Sequence, residues 1–245
     1  MLESSRRRIV EQLDDSAVLL DVGGWADPLA RADWVIDLMS YETRGLYERR
    51  GWIVPRSETA NERFTADTWI QRDLCAREPY PFEDGSVDFV VCAHTLEDLR
   101  DPVWVCAEMA RIAKAGYIEV PSRLEEQSWG VFGGAFVGWP HHRWLVDVAG
   151  DDIEFVLKLH SLHAHEDQYF PAGFWDRLDE EARVQAMWWR DGFSYRERIS
   201  LDEGENNRYL TEFVGRELAA RGLPRPPAPG SPRSSLRTRL GRLRS

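Results

Sequence analysis

The sequence predicts an α/β fold built on a doubly wound, mostly parallel, seven-stranded sheet. Residues 17–22 (AVLLDV), 34–38 (WVIDL) and 87–93 (VDFVVCA) are continuous apolar runs, the signature of strands buried on both faces. Segments of helical period alternate with such runs along the chain. Four of the strands close on a polar residue or a glycine turn, at Asp21-Val22-Gly23-Gly24, Asp37, Asp73 and His94. In a doubly wound sheet ligands bind at the carboxyl ends of the strands, so this repeated punctuation is also the main functional signal.

Element by element, residues 4–13 read as a short leading helix and 17–22 as the first strand. Residues 34–38 form the second and 69–73 a weaker third. The fourth, 87–93, follows the turn signal Glu83-Asp84-Gly85-Ser86. Residues 95–113 read as a helix punctuated at Asp101-Pro102, with Gly116 in the usual C-terminal position. Residues 117–120 are a fifth strand, stopped by Pro121. Residues 153–159 and 193–201 are a sixth and a seventh, with a helix over 173–189 between them. The organisation expected is an N-terminal helix (1–16), one domain (17–223) with an acceptor-facing segment at about 123–145, and a basic tail (224–245).

Composition narrows the function. The chain has 245 residues, 43% hydrophobic and 30% charged, and can bury a large core without staples. Its net charge is −11, yet the tail carries six Arg and no acid, leaving −17 on the rest. An acidic body repels a phosphate backbone, which argues against nucleic acid as the main partner. A tail rich in Pro, Ser, Gly and Arg reads as disordered. Cys75, Cys92 and Cys106 are odd in number with no C-x-x-C spacing, as buried free thiols of a reducing compartment would be. The N-terminus lacks the apolar stretch of a signal peptide, and residues 128–142, uncharged and Gly-rich, are too short for a membrane span. A cytoplasmic location is therefore expected. Oligomeric state is not readable.

Gly23-Gly24 after the first strand lets the backbone approach a ligand, or simply makes a tight turn. Asp37 is placed to accept from a ribose diol, or to cap the segment that follows it. Asp73 is placed to accept from an exocyclic amine, or to satisfy its own loop.

These residues, with Pro81-Phe82-Glu83-Asp84-Gly85-Ser86-Val87-Asp88-Phe89-Val90-Val91 and His94-Thr95-Leu96-Glu97-Asp98-Leu99-Arg100-Asp101-Pro102, resemble the class I S-adenosylmethionine-dependent methyltransferases. The methyltransferase type 11 group is the nearest in pattern. Glu108-Met109-Ala110-Arg111-Ile112-Ala113-Lys114-Ala115-Gly116 and Tyr117-Ile118-Glu119-Val120-Pro121 continue the resemblance, which runs from about Ala17 to Ser122. It implies a Rossmann-like fold, S-adenosyl-L-methionine as cofactor and methyl transfer to oxygen or nitrogen of a small-molecule or glycan-type acceptor. By the same resemblance Asp21, Gly23, Gly24, Asp37, Asp73, Leu74 and His94 form the cofactor side. Gly23 and Gly24 pass under the methionine and ribose portion, and Asp37 takes the ribose hydroxyls. Asp73 and the Leu74 backbone hold adenine, and His94 sits beside the sulfonium. Asp88 is a strand-entry residue.

The sequence departs from that pattern at Trp25, which stands where the family repeats glycine. Residues 23–33, containing Pro28, are too few for more than a single turn or an irregular loop.

Methyl transfer depends mostly on positioning, and needs a base only for a hydroxyl or a protonated amine. His94 and His142 are the candidate catalytic residues; His141, His142 and Arg143 are the candidate acceptor contacts, beneath a lid formed by residues 129–140. Capping or packing is the plainer role for His94, and loop structure for the other three. His163-x-His165-x-Asp167 matches part of a metallo-β-lactamase-like stretch, but no further histidine follows His165, so no metal is assigned. A non-catalytic cofactor-binding or partner-binding protein is the alternative function. A nicotinamide enzyme lacks its G-x-G-x-x-G.

Overall fold

The computed structural model describes residues 1–46 and 61–225. Helix α1 spans Glu3–Gln12 and precedes β1 (Leu19–Val22), β2 (Trp34–Asp37), β3 (Trp69–Gln71) and β4 (Phe89–Ala93). Helix α2 (Pro102–Ile112) leads to β5 (Ala115–Pro121) and the single-turn α3 (Arg123–Glu126). Strands β6 (Trp144–Ala149) and β7 (Asp152–Leu157) come next. Then follow α4 (Glu180–Arg183), β8 (Val184–Arg190), β9 (Ser194–Arg198) and α5 (Glu203–Ala220).

The main sheet has the order β3-β2-β1-β4-β5-β8, parallel except for β8. The chain leaves β1 in one direction for β2 and β3 and resumes on its other side at β4, so the order reverses between β1 and β4. Alternate residues of the same strands feed two cores. Leu20, Val22, Val90, Cys92 and Ile118 meet Val105, Cys106, Met109 and Ile112 of α2 on one face. Leu19, Val35, Val91 and Tyr117 meet Ile9 of α1 and Leu29 on the other. All three cysteines are buried free thiols, as expected. No described helix is long and apolar enough to cross a membrane.

The doubly wound, mostly parallel sheet agrees with the sequence reading; its strand count does not. Six strands form it, and β6, β7 and β9 make a separate three-stranded sheet. The predicted sixth and seventh strands exist, but they belong to that second sheet, whose Trp144, Val146, Ile153 and Phe155 pack into the α2-side core. The helix expected over 173–189 is mostly wrong. Asp179 caps one turn by accepting from the Ala182 amide at 2.8 Å, and the chain then extends as β8. Seven antiparallel pairs with β5, from Ala115↔Arg190 to Pro121↔Val184, override the local helical period. Gly116 does not close a helix. It lies inside β5, where a Cβ would come within 2.7 Å of the Trp189 and Val90 side chains.

The helix expected over 95–113 starts only at Pro102. Asp101 caps it by accepting from the Trp104 amide at 3.0 Å, and Leu96–Asp98 is a separate 3-10 turn. Residues 23–33 carry no helix, as the short β1–β2 connection required. Helix α5, which the sequence reading missed, buries Leu210, Val214 and Leu218. The expected basic tail lies outside the described residues beyond Arg225.

Candidate functional site

At the end of β1 the backbone turns at Gly23, whose φ of +79° suits glycine. The turn is held from both sides. The Gly23 amide donates to the Ile36 carbonyl at 2.9 Å, and the Thr95 hydroxyl donates to the Gly23 carbonyl at 3.3 Å. A Cβ on Gly23 would collide with the Thr95 side chain, and one on Gly24 with the Asp21 carboxylate. Both glycines are thus required by the chain's own packing.

Asp21 faces inward. Its Oδ2 accepts from the Leu29 amide at 2.8 Å, tying down the irregular β1–β2 loop. Burial pushes its carboxyl up to about 7, against the Leu29 hydrogen bond and the charge of Arg6. A carboxyl that rises on folding loses stability as pH climbs from its unfolded value near 4 toward 7. Asp21→Asn, which still accepts from Leu29, is therefore expected to be more stable than the parent by roughly 2–4 kcal/mol at pH 8 and by little at pH 4. Urea unfolding at both pH values checks this, and equal differences at the two would reject it.

Asp37 ends β2 and is also buried. Its Oδ2 accepts from the Trp25 amide at 3.1 Å and its Oδ1 from the Met39 amide at 2.8 Å. Burial raises its pKa despite these bonds. The Leu38 amide adds to these bonds, and of the roughly four acceptor sites of a carboxylate this leaves room for a further donor. Trp25 leans toward the α1-side core, its indole donating to the Thr43 carbonyl at 2.7 Å. Asp73 lies further along the same edge, half-exposed, its Oδ2 accepting from Arg100 at 3.0 Å and its Oδ1 from the Cys75 amide at 2.8 Å. Leu74 is buried, and its carbonyl accepts from the Tyr80 hydroxyl.

The other half of the edge comes from β4 and β5. His94 closes β4 with φ +52°, a left-handed conformation uncommon outside glycine although histidine adopts it more readily than most residues, and its Nε2 lies 3.0 Å from Glu119 of β5. Glu119 is fully buried. Burial works to raise its carboxyl, but the His94 hydrogen bond, the N-terminal amine and the Tyr117 hydroxyl outweigh it and hold the group at about 2. After His94 the 3-10 turn presents two acids. Glu97 is 1% exposed, and neither of its carboxylate oxygens has a hydrogen-bond partner; Oδ1 of Asp98 is likewise buried without one. Burial raises both, Glu97 to about 7.

Ser122 caps α3, which delivers Glu125 and Glu126. Glu125 accepts from the indoles of Trp139 (2.6 Å) and Trp175 (3.1 Å). Glu126 bonds His142 Nδ1 at 2.7 Å through one oxygen and accepts from Lys158 at 2.6 Å through the other. Burial alone would lower the His142 pKa; the Glu126 hydrogen bond and charge raise it. Residues 128–138 close as a loop, with Gly138 donating to Ser128 and Gly130 to Phe136. Exposed Phe132 packs on Trp139 and Trp175, and Trp139 on both His141 and His142. Arg143 is exposed, while its amide donates to the Glu97 carbonyl at 2.8 Å.

One edge therefore joins Asp37, Gly23, Thr95 and His94 in contiguous contact. His141 and His142 sit at its α3 end and Asp73 on its rim. His163 stands apart, accepting from the Val137 amide at 3.3 Å. The sequence reading missed Glu97, Asp98, Glu119, Glu125, Glu126 and Lys158. The adjacent acids at 97–98 and 125–126, each pair just past an apolar strand, were the available signal.

Residues 54–118 match the family model described as a methyltransferase domain. That segment is similar to methyltransferase domains. The matched segment holds β3, β4, α2 and most of β5, including Asp73 and His94, and the strand order is the doubly wound one expected of it. No curated protein sequence matches the chain. Among solved structures, the YcgJ protein of Bacillus subtilis is 17% identical, with a TM-score of 0.36 over 49% of this chain and 52% of its own. A SAM-dependent methyltransferase of Aquifex aeolicus is 17% identical (TM-score 0.32; 48% and 64%). Phosphoethanolamine N-methyltransferase 2 of Haemonchus contortus, solved with S-adenosyl-L-methionine, is 16% identical (TM-score 0.35; 49% and 28%). The match to the first of these spans about half the length of each chain.

Proposed function

We propose that the chain binds S-adenosyl-L-methionine at the carboxyl edge of β1, β2 and β4. Its methyl group passes to an oxygen or nitrogen of a small-molecule or glycan-type acceptor held under residues 129–140. The observation that carries this reading is Asp37: a buried carboxylate at the end of β2, next to β1, held in place by backbone amides and with acceptor capacity left for a further donor. Gly23 and Gly24 would border the ligand, Asp73 and Leu74 would flank the adenine, and Asp21 is reassigned to holding the loop. When bound, the cofactor supplies an electrophilic methyl on sulfur. The acceptor's lone pair forms the new bond to that carbon as the carbon–sulfur bond breaks.

In this reading the chain supplies orientation and, for a hydroxyl acceptor, a base. We assign that role to His94, whose Nε2 is anchored on Glu119 while Nδ1, 3.8 Å from Glu97, is left for the acceptor. His142 has its Nδ1 committed to Glu126, and with His141 and Arg143 it belongs to the acceptor side. Asp37→Asn puts an N–H₂ where an acceptor is needed, and is expected to weaken S-adenosylmethionine binding by about 1.5–3 kcal/mol, roughly 10–100-fold. Calorimetric titration of both proteins tests this; equal affinities would displace the cofactor from this edge. The alternative reading, cofactor or partner binding without turnover, predicts no methylated product from an acceptor screen.

A further inference from the structure

At the α3 end of the edge, one ligand atom each from Asp98, His141 and His142 lies within 4.8 Å of the others, the one such group among the described residues. We propose that these three side chains hold a divalent transition-metal ion.

Four features of the corner support the assignment. Donors ~2.0–2.2 Å from one tetrahedral ion lie ~3.3–3.6 Å from one another. The closing movement of up to ~1 Å can come from rotation of the His141 ring, which is exposed and makes ring contacts alone. His142 is already oriented for ligation: its Nδ1 is bound to Glu126, leaving Nε2 to coordinate, the carboxylate–histidine arrangement that supports metal-bound imidazoles. Lys158 takes the other oxygen of Glu126 and so keeps that carboxylate in a supporting position.

The corner also holds more buried negative charge than its partners satisfy. Asp98 Oδ1 and both oxygens of Glu97 have no hydrogen-bond partner, although buried polar atoms ordinarily find one. A cation on Asp98 would answer the first directly and lie close to the second. Two imidazoles and one carboxylate favour a transition ion over magnesium or calcium. Three protein ligands leave coordination positions open, suited to an oxygen donor. If the methyl-transfer reading holds, that donor is a hydroxyl of the acceptor; retention of the metal does not rest on that reading.

The test uses the full-length chain stripped with a chelator and titrated with cobalt(II), whose visible bands report coordination, followed by zinc competition. One equivalent is expected to bind at micromolar affinity or tighter. His141→Ala removes an exposed side chain, so folding is preserved and confirmed by circular dichroism; it and Asp98→Asn should each weaken binding roughly 100-fold or more. A His160→Ala/His165→Ala variant should bind as the parent does. Absent bands, binding that survives both His141→Ala and Asp98→Asn, or binding lost only with His160 and His165 would each overturn the site. Titration of S-adenosylmethionine into the same stripped protein reads the methyl-transfer proposal separately.

Discussion

Glu126→Ala is expected to lower the stability of the fold by about 3–5 kcal/mol, the largest single effect foreseen. Glu126 and Lys158 are 1% and 4% exposed, and His142 is nearly as buried. The carboxylate bridges the two, at 2.7 and 2.6 Å. Removing it strands an ammonium whose one other acceptor is the Trp139 carbonyl, and frees the ring that presents His142. The loop would loosen as well, because Gly138, at φ +61°, packs directly on Glu126 and Lys158. Replacing both partners, as Glu126→Met with Lys158→Met, should recover most of the loss, since a charge pair removed together leaves no orphan. Denaturant unfolding of the single and double variants decides this. A double variant as unstable as the single would show that packing around Glu126, and not its charge, is what matters.

Glu119→Gln is expected to flatten the acid limb of the stability curve. A carboxyl held at about 2 in the fold, against an ordinary 4.5, contributes stability that is fully present above 4.5 and drains away as pH falls toward 2. The shift corresponds to about 3 kcal/mol. The groups facing it are His94, Tyr117, the Leu2 amide and the N-terminal amine. Between neutral pH and pH 2 the parent should lose more stability than Glu119→Gln does, by about that amount. At neutral pH the Gln protein should be the weaker of the two, because a neutral amide cannot offer His94 and Tyr117 a charged acceptor. Parallel acid slopes in the two proteins would mean that another group governs acid unfolding.

Legibility in the sequence followed locality. Strands β1, β2, β4 and β5 were visible because a strand buried on both faces must be apolar throughout, whatever surrounds it. The cap and start of α2 at Asp101-Pro102 were equally local, although the 3-10 turn at Leu96–Asp98 was absorbed into the predicted helix. Where partners far along the chain decide, the reading failed. Residues 184–190 are extended because β5 pairs with them, and Gly116 is there to admit Trp189. The candidate site divides along the same line: the Gly23-Gly24 turn and Asp37 stand at strand ends and could be named. Glu119, by contrast, looked like one polar residue within an apolar strand. His94 was named, but neither its left-handed backbone nor its carboxylate partner could be.

What the sequence alone determined is the alternation of buried strands and covering helices, and the edge where their polar ends gather, because burial on two faces writes itself into each strand's own residues. Only the tertiary structure decided which side chains meet there. Asp21 turned inward, Glu126 between His142 and Lys158, and Asp98 beside two histidines are each set by contacts between segments distant in the chain. A side chain's partner is fixed by how those segments pack, which no local pattern encodes.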